Sequence, residues 1–284
     1  MDIVTSRAGF RSHLDAVRGG GRSVGLVPTM GALHEGHLSL ARAASVECDV
    51  VALTIFVNPL QFGAAEDLDA YPRPLERDLE LAASVGVDVV FTPSVDEMYP
   101  GPQLTTVHVD GLTATMEGAT RPTHFDGVTT VVAKLFNLAG PCRAYFGEKD
   151  FQQLAVVRRM AADLDLPVAV VGCPIVRESD GLALSSRNVY LSPEQRSAAT
   201  VVNRTLREGA SLIAAGERDR AAIEAHMAAV VAAEPLAELE YAVVVDPLTL
   251  FPPDRLESGS EVRLCTVVRF GPTRLLDNLG IGVA

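Results

Sequence analysis

The chain has 284 residues, 48% of them apolar, and its 24 basic and 36 acidic side chains leave a net charge of −12. At ~150 residues per domain this length suggests about two domains, and a chain this long buries roughly three quarters of its unfolded surface without disulfide or metal staples. The acidic balance leaves no basic stripe for nucleic acid, and no apolar run reaches the ~18 to 20 residues of a membrane span.

The start, Met1-Asp2-Ile3-Val4, lacks the basic region and apolar stretch of a secretory signal, so a soluble, cytoplasmic protein is expected. Short β-rich runs at 24–27, 50–56, 87–91, 143–146 and 167–172 read as buried parallel strands. Between them, apolar residues three or four apart predict helices over 38–44, 75–85, 128–138 and 151–164. Alternation of this kind implies an α/β fold with a doubly wound parallel sheet, whose ligands bind at the carboxyl ends of the strands.

The character changes after about residue 176. Ser192-Pro193-Glu194-Gln195 combines a capping hydroxyl, a proline at the first helical position and a glutamine that can close a capping box; the helix it opens is expected to run to Gly216. A second helix over 219–233 and strands at 240–246 and 262–270 suggest a smaller α+β domain, giving expected domains of 1–175 and 176–284. The four cysteines, Cys48, Cys142, Cys173 and Cys265, are too scattered for zinc or a redox pair and read as buried thiols. Of the two lysines, Lys134 follows Val132-Ala133 rather than a glycine-rich run, which removes a Walker A reading.

Four clusters carry chemistry. After the first strand, the loop from Pro28 to Gly31 runs through Ala32 and Leu33 into His34-Glu35-Gly36-His37. A helix starting there puts both imidazoles on one face of its N-terminus, and free backbone amides are expected to meet a phosphate beside them. The spacing is wrong for a metalloprotease zinc site, which needs two residues between the Glu and the second His. Tyr145-Phe146-Gly147-Glu148-Lys149-Asp150-Phe151-Gln152-Gln153 again follows a strand; Lys149 can act as a point charge on phosphate, and Asp150 as a cap or a metal-phosphate partner. Ser185-Ser186-Arg187-Asn188 offers two hydroxyls and a guanidinium for a triphosphate, and Asn58-Pro59-Leu60-Gln61 offers amides for a small hydroxylated substrate. Arg121 and His124 share a further loop suited to a carboxylate or a phosphate.

With these blocks in order, and with Asp69-Ala70-Tyr71-Pro72-Arg73 and Thr273-Arg274-Leu275-Leu276-Asp277-Asn278 beside them, the chain resembles the pantothenate synthetases over nearly its whole length. The resemblance implies a Rossmann-like domain of the HIGH-type nucleotidyltransferases, a smaller C-terminal lid domain, a homodimer and a Mg2+ requirement. It also implies a two-step reaction, in which pantoate attacks the α-phosphorus of ATP to give pantoyl adenylate and β-alanine then displaces AMP. Carried over by position, ATP would be bound by Met30, Gly31, Ala32, Leu33, His34, Glu35, Gly36 and His37, by Gly147, Glu148, Lys149 and Asp150, by Val176, and by Leu184, Ser185, Ser186 and Arg187. His37, His34 and Lys149 would be catalytic, Gln61 and Gln153 would grip pantoate, and Gln61 would also reach β-alanine. No protein side chain is expected as a dedicated metal ligand. The alternative is another HIGH-type nucleotidyltransferase acting on a different small-molecule acceptor.

Overall fold

The structure is a computed structural model that describes residues 1–63, 68 and 71–284, so Asp69 and Ala70 of the block named above lie outside the described residues. The chain forms two compact units, Met1–Glu148 with Gln152–Pro174, and Lys149–Phe151 with Ile175–Ala284. The short segment Lys149–Phe151 therefore belongs with the later part of the chain although it interrupts the earlier part in sequence.

The first unit contains strands β1 (Asp2–Val4), β2 (Val24–Thr29), β3 (Val50–Ile55), β4 (Val89–Phe91), β5 (Cys142–Gly147) and β6 (Val168–Cys173). All pair in parallel, in the order β1-β4-β3-β2-β5-β6. The central strands are buried almost continuously, which is why they read as apolar runs rather than alternating ones. Helices α1 (Arg7–Gly19), α2 (Glu35–Glu47), α3 (Leu75–Ser84), α4 (Val95–Met98), α5 (Met116–Thr120), α6 (His124–Ala139) and α7 (Phe151–Asp163) connect them. One apolar layer unites Phe10 and Leu14 of α1 with Phe136 of α6 and Leu154 of α7. Leu40 and Ala41 of α2 join Ala82 of α3 in the other layer, so the sheet is covered on both faces. Strand order reverses between β2 and β5, which makes the loops leaving those two strands the natural ligand-binding ends.

The second unit holds α8 (Pro193–Ala198), α9 (Thr200–Ala214), α10 (Arg220–Ala232) and an antiparallel sheet of β7 (Glu238–Val245), β8 (Glu261–Phe270) and β9 (Thr273–Gly282). Leu206 and Ile213 of α9 and Ile223 and Met227 of α10 pack on Val244 and Leu264 of that sheet. Ser192 and Gln195 form the expected capping box at the start of α8. The single helix expected from there to Gly216 is instead two, separated at Ala199. Ala198 and Ala199 are both buried in the core, so packing rather than any local helix breaker sets that division.

Elements not anticipated from the sequence are β1, α1, α4, α5 and β9; β1, α4 and α5 are only three to five residues long, too short for a periodic signal. All four cysteines are free thiols, and burial pushes the Cys142 thiol up to about 12 against the opposing effect of Arg18. Among the described residues no helix is long and apolar enough to cross a membrane.

Candidate active site

The loop after β2 turns through two consecutive residues of positive φ, Gly31 at 85° and Ala32 at 49°. A left-handed alanine is unfavourable, and the compensation is Asp78, which is 1% exposed on α3 and accepts from Ala32 N at 2.8 Å and Leu33 N at 2.7 Å. Asp78 escaped the sequence reading because it lies more than forty residues from the loop that it holds. Gly31 N donates to Thr29 Oγ1 at 3.1 Å, which completes the turn.

His34 is the N-cap of α2 and not its first residue. Its Nδ1 accepts from Gly36 N at 3.1 Å, while His37 Nδ1 accepts from His34 N at 3.4 Å, so the two imidazoles act as a reciprocal capping box. With each Nδ1 accepting, the ring proton of each neutral histidine sits on Nε2. The rings lie 4.2 Å apart between centroids at 40°, a pair of N–H donors at one helix end. Gly36 also has a local reason: a Cβ there would come within 2.8 Å of the His34 ring.

One expectation requires correction. Amides of Gly31, Ala32, Leu33, His34, Gly36, His37 and Leu38 all donate within the protein, so these seven are engaged rather than free to meet a phosphate. What the helix end offers an anion is therefore the two imidazoles and the helix dipole, since these backbone donors are engaged in holding the turn.

Asn58 caps the 3₁₀ turn Pro59–Gln61 that follows β3, and the same side chain orients Gln61. Asn58 Nδ2 donates to Gln61 Oε1 at 3.1 Å and to Gly127 O at 3.0 Å, and Asn58 Oδ1 accepts from Tyr99 Oη at 2.8 Å. That assignment leaves Gln61 Nε2 as a donor, directed at Met30 Sδ at 3.1 Å. The main-chain oxygen of Gln61 is met by His124 Nδ1 at 3.0 Å and by Arg121 Nη2 at 3.4 Å, so both of these residues bear on the Gln61 turn. Lys134 lies over the Tyr99 ring at 5.3 Å, and burial lowers its ammonium's affinity for a proton, with Arg7 adding to the effect. Burial likewise raises the Tyr99 phenol far above its usual value, keeping it a neutral donor to Asn58. Neither Tyr99 nor Lys134 carried a motif in sequence.

At position 152 the buried amide is structural: Gln152 donates to Leu112 O and Thr115 O, each at 2.9 Å, and accepts from Glu117 N at 3.0 Å. Its neighbour Gln153 is only partly buried. Gly147 closes β5, and Glu148 follows it in the first unit.

In the second unit, Lys149 Nζ stands 3.8 Å from Asp150 Oδ1, with the lysine side chain 18% and the aspartate 49% exposed. Val176 O accepts from Leu184 N at 3.0 Å, and Arg177 bridges to Ala183, so 176–184 is a small hairpin. It delivers Ser185 as the cap of the 3₁₀ turn Ser186–Tyr190, with Ser185 Oγ accepting from Arg187 N at 3.2 Å. Ser186 and Arg187 are partly exposed on that turn.

A profile of the pantoate-beta-alanine ligase family matches residues 2–280. The chain belongs to that family. It is 52% identical over 283 residues to the pantothenate synthetase of Moorella thermoacetica, covering 100% of this chain and 99% of the relative. It is 56% identical over 278 residues to that of Sinorhizobium medicae, covering 98% and 95%. The crystal structure of pantothenate synthetase from Thermus thermophilus superposes with a TM-score of 0.92 at 50% identity, covering 98% of this chain and 99% of that one. A Francisella tularensis pantoate-beta-alanine ligase, solved with beta-gamma ATP and beta-alanine, superposes at 0.79 with 32% identity, covering 98% and 97%. Such agreement extends over both units, and the ligase is accordingly an ATP-dependent, AMP-forming enzyme joining pantoate to beta-alanine.

Proposed function

We propose that the residues gathered above carry the ligase reaction in two steps. A carboxylate oxygen of pantoate attacks the α-phosphorus of ATP, the bond to the pyrophosphate oxygen breaks, and pantoyl adenylate forms. The amine of β-alanine then attacks the acyl carbon, loses a proton and displaces AMP. Adenylation is required because a free carboxylate is a poor electrophile, whereas AMP is a good leaving group.

The observation that carries this reading is the imidazole pair. His34 and His37 each present Nε2–H from a helix N-terminus, 4.2 Å apart between rings, which suits charge developing on phosphate oxygens as the phosphorus is attacked. Stabilising that charge takes a donor, with complete proton transfer unnecessary. Lys149, Ser185, Ser186 and Arg187 bind the triphosphate, Val176 and Leu184 the nucleotide, and Gln61 and Gln153 the hydroxyls and carboxylate of pantoate. Gln61 Nε2 is the better-defined donor of these two, since Asn58 determines which way its amide points. The role of the smaller unit as a lid is part of the same proposal.

The residues fit Mg2+ only in a particular sense. Among the described residues no group of three or more His, Cys, Asp or Glu side chains is arranged to hold a metal. The half-exposed Asp150 carboxylate offers one hard oxygen, as expected for an ion bound chiefly by phosphate and water. The ion would supply charge neutralisation of the triphosphate. We further propose a homodimer, which sedimentation velocity over a dilution series tests.

The deciding experiment is ATP–pyrophosphate exchange with and without pantoate, in the absence of β-alanine. Exchange that depends on pantoate is the expected result. Absence of exchange from folded, ATP-binding protein would count against the assignment and favour another nucleotidyl acceptor.

A further inference from the structure

The block Thr273 to Asn278 has no part in the reaction as described, yet it places a carboxylate and a carboxamide in the interior of β9, each only 3% exposed. Burying such groups is unfavourable unless they are matched. Asp277 is matched by Arg177 in a two-pronged ion pair, Nη1 to Oδ2 at 2.6 Å and Nη2 to Oδ1 at 2.9 Å. The same guanidinium donates to Gly181 O at 3.0 Å and to Asn278 O at 3.3 Å. Arg177 thus closes the hairpin that leads into Ser185–Arg187 and ties it to β9.

Asn278 reaches a different segment. Its Nδ2 donates to the main-chain oxygen of Lys149 at 2.8 Å. Two residues on, the Arg263 guanidinium of β8 lies over the Phe151 ring at 3.9 Å. Lys149–Phe151 is therefore clasped at two points by the C-terminal sheet, in agreement with its grouping with that unit. A lysine ammonium on a four-carbon stem is placed only as well as its backbone is held.

We propose that Asp277 and Asn278 are positioning residues for adenylation. Asn278 holds the backbone of Lys149, and Asp277, through Arg177, holds the segment ending at Ser185–Arg187, so that adjacent residues of one strand place both sets of triphosphate-binding groups. This rests on the reading of Lys149 and Ser185–Arg187 as ATP-binding residues.

The test is single-turnover formation of pantoyl adenylate at saturating ATP in the wild type, Asn278→Ala, Lys149→Ala and the double variant, each rate normalised to folded protein by thermal melting. Asn278→Ala is expected to slow adenylation about tenfold in the wild type. In the Lys149→Ala background it is expected to change the rate by less than about twofold, because no ammonium remains to be misplaced. Aminolysis of supplied pantoyl adenylate by β-alanine should stay within about twofold of wild type. A full tenfold loss in both backgrounds, or an equal loss in aminolysis, overturns the positioning role and leaves the Lys149 reading intact. A normal rate for Lys149→Ala overturns both. Should Asn278→Ala not fold, Asn278→Asp retains the shape without the donor and is expected to give the same pattern; a normal adenylation rate there also overturns the proposal.

Discussion

The two regions proposed to bind the triphosphate are held in place by different means. The turn carrying His34 and His37 is largely a local construction: the imidazoles cap one another's segment within four residues, with Asp78 holding the preceding loop from a distance. By contrast, Lys149 is held by Asn278, 129 positions away, and by the packing of Arg263 on Phe151. A histidine pair that caps its own helix arrives with its tautomers and ring directions defined. Lys149 has only the adjacent Asp150 carboxylate as a local partner, at 3.8 Å, and its backbone is held by a strand formed at the far end of the chain.

The largest expected effect is at the local end. His37→Ala should lower adenylation by at least ~10²-fold with little change in melting temperature, since it removes a donor that matters most in the transition state. Near-normal turnover would show that the imidazole pair is only a cap. Asp78→Asn comes next, because it replaces one of two buried acceptors by a donor facing an amide. A stability loss of about 1–3 kcal/mol is expected by urea melting, together with roughly tenfold slower adenylation. Unchanged adenylation in that variant would mean that the caps alone hold the turn and would sharpen the contrast with Lys149.

Smaller effects test the Gln61 turn. Gln61→Ala should raise the pantoate KM about tenfold and leave the ATP KM nearly unchanged, while Tyr99→Phe, which only deprives Asn58 of a donor, should raise the pantoate KM about threefold. Equal losses for both substrates would indicate a structural role for the network.

The smallest effect concerns Glu240, which sits at an irregularity in the β7–β8 pairing with Arg274 and Arg269 around its carboxylate. Hydrogen bonding from Arg274 holds its pKa below the ordinary value of 4.5, against burial, and the charges of both arginines assist. Its contribution to stability is therefore present above the unfolded-state value and is lost as pH falls through the lower folded-state value. Melting temperature should fall more steeply with acid below about pH 4.5 in the wild type than in Glu240→Gln, with adenylation at neutral pH unaffected. Parallel curves would remove Glu240 as a source of acid sensitivity.

Much of the fold was readable because parallel strands buried on both faces are continuous apolar runs, and the capping box at Ser192 has a signature four residues long. The candidate site was legible as a proposal at His34, His37, Lys149 and Ser185–Arg187, where chemistry-bearing residues follow strands or turns. The reading went astray where tertiary partners override local preference. The named loop amides donate to Asp78 and the caps, and β9 runs on through Asp277 and Asn278, where Arg177 pairs with the carboxylate and the Lys149 carbonyl accepts from Asn278 Nδ2. Ala199 separates two helices with no breaker in the sequence.

By itself, then, the sequence determined the alternation of strands and helices, the change from an α/β to a smaller α+β unit, and the loops in which imidazole, ammonium and guanidinium groups reside, since each depends on periodicity or on spacings of a few residues. Only the tertiary structure decided which amides remain available, which way Gln61 points, and what holds Lys149. Those outcomes depend on donors and acceptors brought together from 3 to 129 positions apart, and a buried polar group takes whichever partner the packing supplies.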